Sequence, residues 1–152
     1  MKTAIVYYSS HHGNTKKLAD AIALNRDVDL IDAAAQEPVD LAPYDLIGFA
    51  SGIYYGKFHR SVLDFAKRNL PEHKPVFFLC TYGGRANTKA IAEAARARSA
   101  VILGQFGCRG FDTFGPFKLI GGTAKGHPDA KDLKDACRFF EELLEKSASG
   151  RD

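Results

Sequence analysis

Lys2-Thr3-Ala4-Ile5-Val6-Tyr7-Tyr8-Ser9-Ser10-His11-His12-Gly13-Asn14-Thr15 is the stretch whose reading decides the fold. Its first half is an apolar, β-prone run with no alternation, as expected of a strand buried on both faces of a parallel sheet. A short loop of hydroxyl, histidine and glycine residues follows, and a helical pattern begins at Lys16. A strand, a small loop and a helix start in this order make an anion site. The loop offers backbone N–H groups and hydroxyls, and the first helical turn adds unpaired donors and the positive end of the helix dipole. A phosphate monoester is the natural guest. No Lys or Arg lies between Lys2 and Lys16, so the cradle would work through dipoles and hydroxyls. The loop has neither the Gly-x-x-x-x-Gly-Lys-Ser/Thr spacing of a triphosphate loop nor the Gly-x-Gly-x-x-Gly of dinucleotide folds.

Outward from this stretch, the spacing predicts a helix over 14–24, with Leu18, Ala21 and Ile22 on its apolar face. A short strand is expected at 28–31. Residues 32–44 carry Pro38 and Pro43 and little periodicity, so the second crossover is expected to hold at most a turn or two of helix. Further strands are expected at 45–50, 76–80 and 100–108, and helices at 59–69, 87–97 and 129–146. Loops at 51–58 and 81–85 leave strand ends, and 147–152 reads as a frayed tail. Residues 109–128 show no period but hold Phe111, Phe114 and Phe117, which favour a packed or functional loop. Strands alternating with helices predict one α/β domain over 1–152, a parallel sheet with helices on both faces. Ligands of such sheets sit beyond the carboxyl ends of the strands. The loops at 9–15, 51–58 and 81–85 all leave those ends.

Composition narrows the function. The 152 residues are 45% hydrophobic and 26% charged, which suits a single globular domain. No apolar run approaches the roughly 20 residues of a membrane span, so no integral membrane segment is expected. The chain enters a strand at once with no secretory signal, and the cytoplasm is the expected compartment. Cys80, Cys108 and Cys137 are odd in number and widely spaced, which argues for reduced thiols and against a zinc site. The net charge of +3 comes from residues scattered through the chain rather than gathered in one stripe. Nucleic-acid binding is therefore not expected.

The hydroxyl-Gly-Asn-Thr loop after the first strand, taken with Ser51-Gly52-Ile53-Tyr54-Tyr55 and Thr81-Tyr82-Gly83-Gly84, resembles the flavodoxin family of FMN proteins. The resemblance spans nearly the whole chain. It implies a doubly wound sheet of five parallel strands in the order 2-1-3-4-5, one bound FMN, and service as an electron carrier between redox proteins. The implied cofactor-binding residues are Ser9, Ser10, His11, His12, Gly13, Asn14 and Thr15 for the phosphate; Ser51, Gly52, Ile53, Tyr54, Tyr55 and Gly56 for the ribityl chain and ring; and Thr81, Tyr82, Gly83 and Gly84 for the opposite ring edge. Tyr54, Tyr55 and Tyr82 are the flat covers such a ring needs, and Gly52 and Gly56 let the backbone approach it.

The run Tyr55-Gly56-Lys57-Phe58-His59 with Phe65 also resembles flavodoxin-like, menaquinone-dependent protoporphyrinogen oxidases. That implies the alternative of a quinone- or protoporphyrinogen-linked flavin oxidoreductase, whose pocket 109–128 would close over His59 or Arg85. His59 also reads as a helix cap, and Cys108 as a buried thiol or one facing the site. Two departures from flavodoxins stand out. Those proteins are acidic around the flavin, whereas this chain is net basic, and His11 and His12 stand where hydroxyls are usual.

Overall fold

The computed structural model describes residues 1–10, 13–35, 38–111 and 125–149. Its elements are β1 (Thr3–Tyr8), α1 (Asn14–Ala23), β2 (Val28–Asp32), β3 (Leu46–Tyr54), β4 (Lys57–Phe58), α2 (Arg60–Asn69), β5 (Pro75–Tyr82), α3 (Lys89–Arg96), β6 (Val101–Arg109) and α4 (Ala130–Ser149). Five strands run parallel in the order β2-β1-β3-β5-β6, and β4 pairs antiparallel with the end of β3. Leaving out that two-residue strand, this is the expected order 2-1-3-4-5. The chain moves from β1 to β2 on one side and returns to β3 on the other. The crevice between the carboxyl ends of β1 and β3 is therefore the topological switch point.

Period-two alternation divides the core between the faces of the sheet. Ala4, Val6, Ile47, Phe49, Val76 and Phe78 face one side and pack on Val62, Phe65 and Ala66 of α2 and Ile91 and Ala95 of α3. Ile5, Leu46, Ala50, Phe77 and Leu79 face the other and meet Leu18 and Ile22 of α1 and Phe140 and Leu143 of α4. Each large apolar side chain removed from water here contributes about 1.5–3 kcal/mol. Gly48 is required by this packing: it pairs with Phe77 across β3 and β5, and a Cβ there would enter the ring of Phe77.

The crossover from β2 to β3 carries only turns among its described residues, as Pro38 and Pro43 imply. Leu41 anchors it in the core. Lys74 Nζ donates to the carbonyls of Ala42 and Tyr44 at 2.8 Å each, and Tyr44 donates to Asp29 at 2.7 Å. A groove of about 580 Å³ beside α2, lined in part by Ala33, Pro38, Phe65 and Arg68, lies along this helix-free crossover.

The ends of β3, β5 and α4 lie beyond the expected ones. β3 runs to Tyr54 rather than stopping at residue 50, so 51–58 is a hairpin and not a loop. Its turn is Tyr55-Gly56, with φ of 51° and 80°. β5 likewise runs to Tyr82, two residues into the expected loop. α4 continues to Ser149 and takes in part of the expected tail. His11, His12, Phe114 and Phe117 lie outside the described residues.

Candidate functional site

At the end of β1, Gly13 takes a left-handed conformation and starts α1, which has neither a side-chain cap nor an acidic residue in its first turn. Gly13 thus leaves the amides of Asn14 and Thr15 without a side-chain cap at the strand ends. Ser9 Oγ accepts from the amide of Lys16 at 3.2 Å. Thr15 is buried, and its hydroxyl lies 2.9 Å from that of Thr81 at the end of β5. Two hydroxyls have two protons and need only one for the bond between them. The pair therefore keeps an O–H to give to a third group.

Asn14 joins this turn to the chain leaving β6. Its Nδ2 donates to the Phe111 carbonyl at 2.8 Å, which fixes the amide orientation, because the flipped amide would set two acceptors together. Oδ1 is then buried with no partner. Gly110 permits this closeness, since a Cβ there would fall 2.7 Å from Asn14 Nδ2. The Gly110 amide donates to the Tyr82 carbonyl at 2.9 Å, so the ends of β1, β5 and β6 are tied into one wall. The end of β3 closes the fourth side, with Tyr54 OH 2.8 Å from Ser10 Oγ.

These residues enclose a cleft of about 40 Å³ at the switch point. Of the sequence-predicted residues, Ser9, Ser10, Asn14, Thr15, Gly52, Ile53, Tyr54, Thr81, Tyr82 and Gly83 line it. Gly13, Ser51, Tyr55, Gly56 and Gly84 do not, and His11 and His12 are outside the described residues. Ser51 is used within the fold: its Oγ accepts from the amide of His59 at 2.9 Å and donates to the Gly52 carbonyl at 2.6 Å. Tyr55 sits on the hairpin tip, 87% exposed. Gly110 and Phe111 also line the cleft, although the sequence reading gave 109–128 a place at the site only in the oxidoreductase alternative. Their signal was a glycine followed by an aromatic residue just past the last strand.

Among the described residues, no charged side chain lines the cleft. Tyr54 folds over Gly52, with its ring edge 3.3 Å from where a Cβ would stand. It meets Tyr8 and His59 edge-on at centroid distances of 5.8 and 5.0 Å. His59 stacks flat on Tyr8 at 3.6 Å. It caps α2, accepting the amide of Ser61 at Nδ1 over 3.1 Å. A backbone amide can only donate, so Nδ1 is bare and the ring proton sits on Nε2. Burial lowers the pKa of His59 from its ordinary value, which favours this neutral form. Neither His59 nor Arg85 lines the cleft.

Cys108 is buried in β6. Burial, followed by the charge of Asp132, pushes its thiol up to about 12. Cys80, in β5, is pushed up to about 12 chiefly by burial. Both are protonated at neutral pH and lack the thiolate that redox chemistry needs. Beyond Phe111, whose amide donates to the His127 carbonyl at 2.9 Å, His127, Asp129 and Asp132 bring their ligand atoms within 4.8 Å of one another. Asp129 and Asp132 accept each other's backbone amides at the start of α4, so the cluster is a helix cap. Among the described residues, no helix is long and apolar enough to cross a membrane.

Comparison with known proteins agrees with this fold. The family described as "Flavodoxin domain" matches residues 5–108. An uncharacterised protein of Methanocaldococcus jannaschii is 39% identical over 150 residues, covering 95% of this chain and 99% of the relative. Among solved structures, a flavodoxin from the domain Archaea superposes with a TM-score of 0.71 at 24% identity, covering 96% of this chain and 99% of that one. Oxidised Flavodoxin 2 from Bacillus cereus gives 0.69 at 19% identity, covering 95% and 99%. At these identities the two structures speak for the fold.

Proposed function

The chain belongs to the flavodoxin family, and from that premise we propose that it binds FMN in the cleft at the switch point and carries electrons between redox proteins. The observation that carries the reading is the buried Thr15–Thr81 hydroxyl pair at the start of α1, where Gly13 supplies no side-chain cap. It holds a spare proton beside bare amides, as an ester dianion requires. Asn14 complements it. Its buried Oδ1 needs a donor, and a dianion offers none. A polyol chain does, and FMN joins a phosphate to a polyol.

When bound, FMN supplies the electron storage. The protein's residues bind and orient it. Ser9, Ser10 and Thr15 would hold the phosphate end, Asn14 Oδ1 would take a hydroxyl of the polyol chain, Gly52 and Ile53 would lie against the ring from β3, and Tyr82 and Phe111 would offer apolar cover. Tyr54 governs access. With Tyr54 bonded to Ser10 the cleft holds about 40 Å³, too little for a flavin ring. Rotation about its χ1 would break that bond and free the Ser10 hydroxyl for a ligand. Among the described residues no acid or base lines the cleft, His59 is neutral and engaged in a cap, and Cys80 and Cys108 are protonated.

Titration of the purified protein with FMN tests the reading. The expected result is one equivalent bound, with a perturbed flavin band near ~450 nm, since the chromophore belongs to the cofactor. Absence of binding would refute it. Photoreduction then separates the roles: two resolved one-electron stages mark a carrier, whereas direct two-electron turnover with a quinone marks an oxidoreductase.

A further inference from the structure

Where the hairpin and the loop after β5 border the cleft, the charge is of one sign. The hairpin and the loop after β5 meet there, since Asn87 Nδ2 donates to the Gly56 carbonyl at 2.8 Å. The hairpin side carries Lys57 and Arg60, and the loop side carries Arg85 and Lys89. All four are exposed. No Asp or Glu occurs over residues 46–63 or 73–92. Arg60 reaches Asp64 at 3.5 Å but is 89% exposed. Lys57, Arg85 and Lys89 form no ion pair among the described residues.

An exposed aromatic stands in the same rim. Tyr54 pairs with Lys57, which makes Tyr55-Gly56 a two-residue hairpin turn with both residues at positive φ. Asn, Asp or Gly normally fills the first of these positions. A tyrosine there is held in a strained conformation with its side chain in solvent, and backbone strain of this kind clusters at functional sites. Exposed tyrosine framed by arginine is also the composition of binding hot spots.

We propose that this rim, with Tyr55 at its tip and Lys57, Arg60, Arg85 and Lys89 around it, is the docking face for a small acidic redox protein. The proposal rests on the electron-carrier reading, because the rim borders the cleft in which the cofactor would sit. Complementary charge steers encounter and fixes orientation. The surface commits the protein to a partner of opposite sign.

The test is binding of the purified protein, at whatever cofactor load it carries, to an acidic plant-type [2Fe–2S] ferredoxin, followed by calorimetry or NMR shifts. Probes of other chemistry are a basic c-type cytochrome, phosphatidylserine vesicles and a short DNA duplex. Ferredoxin should bind at low salt and weaken at least about tenfold between about 20 and 200 mM ionic strength, as screening shortens the reach of exposed charges. Lys57→Glu with Arg85→Glu and Lys89→Glu should abolish binding while leaving the melting midpoint and the FMN titration unchanged. Tyr55→Gly should raise the midpoint and still weaken ferredoxin several-fold.

Salt-independent binding, indifference to the charge reversal, or preference for the cytochrome, the vesicles or the DNA would overturn the proposal. The two readings fail separately. FMN binding without ferredoxin docking removes the docking face alone, and docking by a protein that takes no FMN removes the cofactor reading alone.

Discussion

The cleft and its rim lie at the same end of one sheet and are built from opposite chemistry. Inside, no described lining side chain is charged, and specificity rests on hydroxyls, an amide and a helix start held by hydrogen bonds between strand ends. Outside, the hairpin and the loop after β5 carry only basic charge. A buried dipolar site is barely screened, and its groups were fixed when the chain folded. An exposed charged rim acts at a distance and fades with salt. The difference separates two tasks: retaining a small anion and meeting a large partner.

The sharpest way to break this contrast is inside the cleft. Thr81→Val preserves shape but leaves the buried Thr15 hydroxyl without its partner. It should cost about 1–3 kcal/mol and lower the melting midpoint by several degrees. A midpoint within error of wild type would mean that the hydroxyl pair is not part of the framework. A smaller effect is expected at His59, between cleft and rim. His59→Ala should cost about 1 kcal/mol through loss of the α2 cap.

The same residue predicts a pH dependence. Its pKa is lowered in the fold by burial, so the unfolded chain takes up the proton first. The stability it contributes is present above about 6.5 and declines as pH falls below that value toward the lowered one. Denaturant titrations of wild type and His59→Ala should therefore converge on acidification; a gap that widens instead would contradict the assignment of the bare Nδ1. Smallest of all, Lys57→Ala and Arg85→Ala should leave stability within about 0.5 kcal/mol, as exposed sites do. They should also leave FMN affinity unchanged between low and moderate salt. A steep salt dependence of FMN affinity would erase the division between cleft and rim.

Much of this was legible in the sequence, for a physical reason. Ala4, Ile5 and Val6 are buried from both sides, so β1 reads as an unbroken apolar run and its bounds match expectation. Pro38 and Pro43 announced an abbreviated crossover with at most a turn or two of helix, and its described residues carry only turns. The end of β3 was hidden, because Ser51 and Gly52 look like punctuation. The turn that follows was hidden too, since Tyr55 occupies a left-handed position that normally advertises itself with Asn or Gly. Gly110 and Phe111 were missed because their role depends on Asn14, 97 residues from Phe111 in sequence. His59 was legible as a cap from its place at a helix start, but its stack on Tyr8 was not.

The central claim is that the start of α1 grips an ester dianion. It is tested most directly by measuring FMN and riboflavin affinities of wild type and Thr15→Val by calorimetry. The account predicts that FMN weakens by about 10- to 100-fold, the loss of a hydrogen bond to a charged group, while riboflavin changes by less than about threefold. Equal losses for the two ligands, or none for FMN, would contradict it.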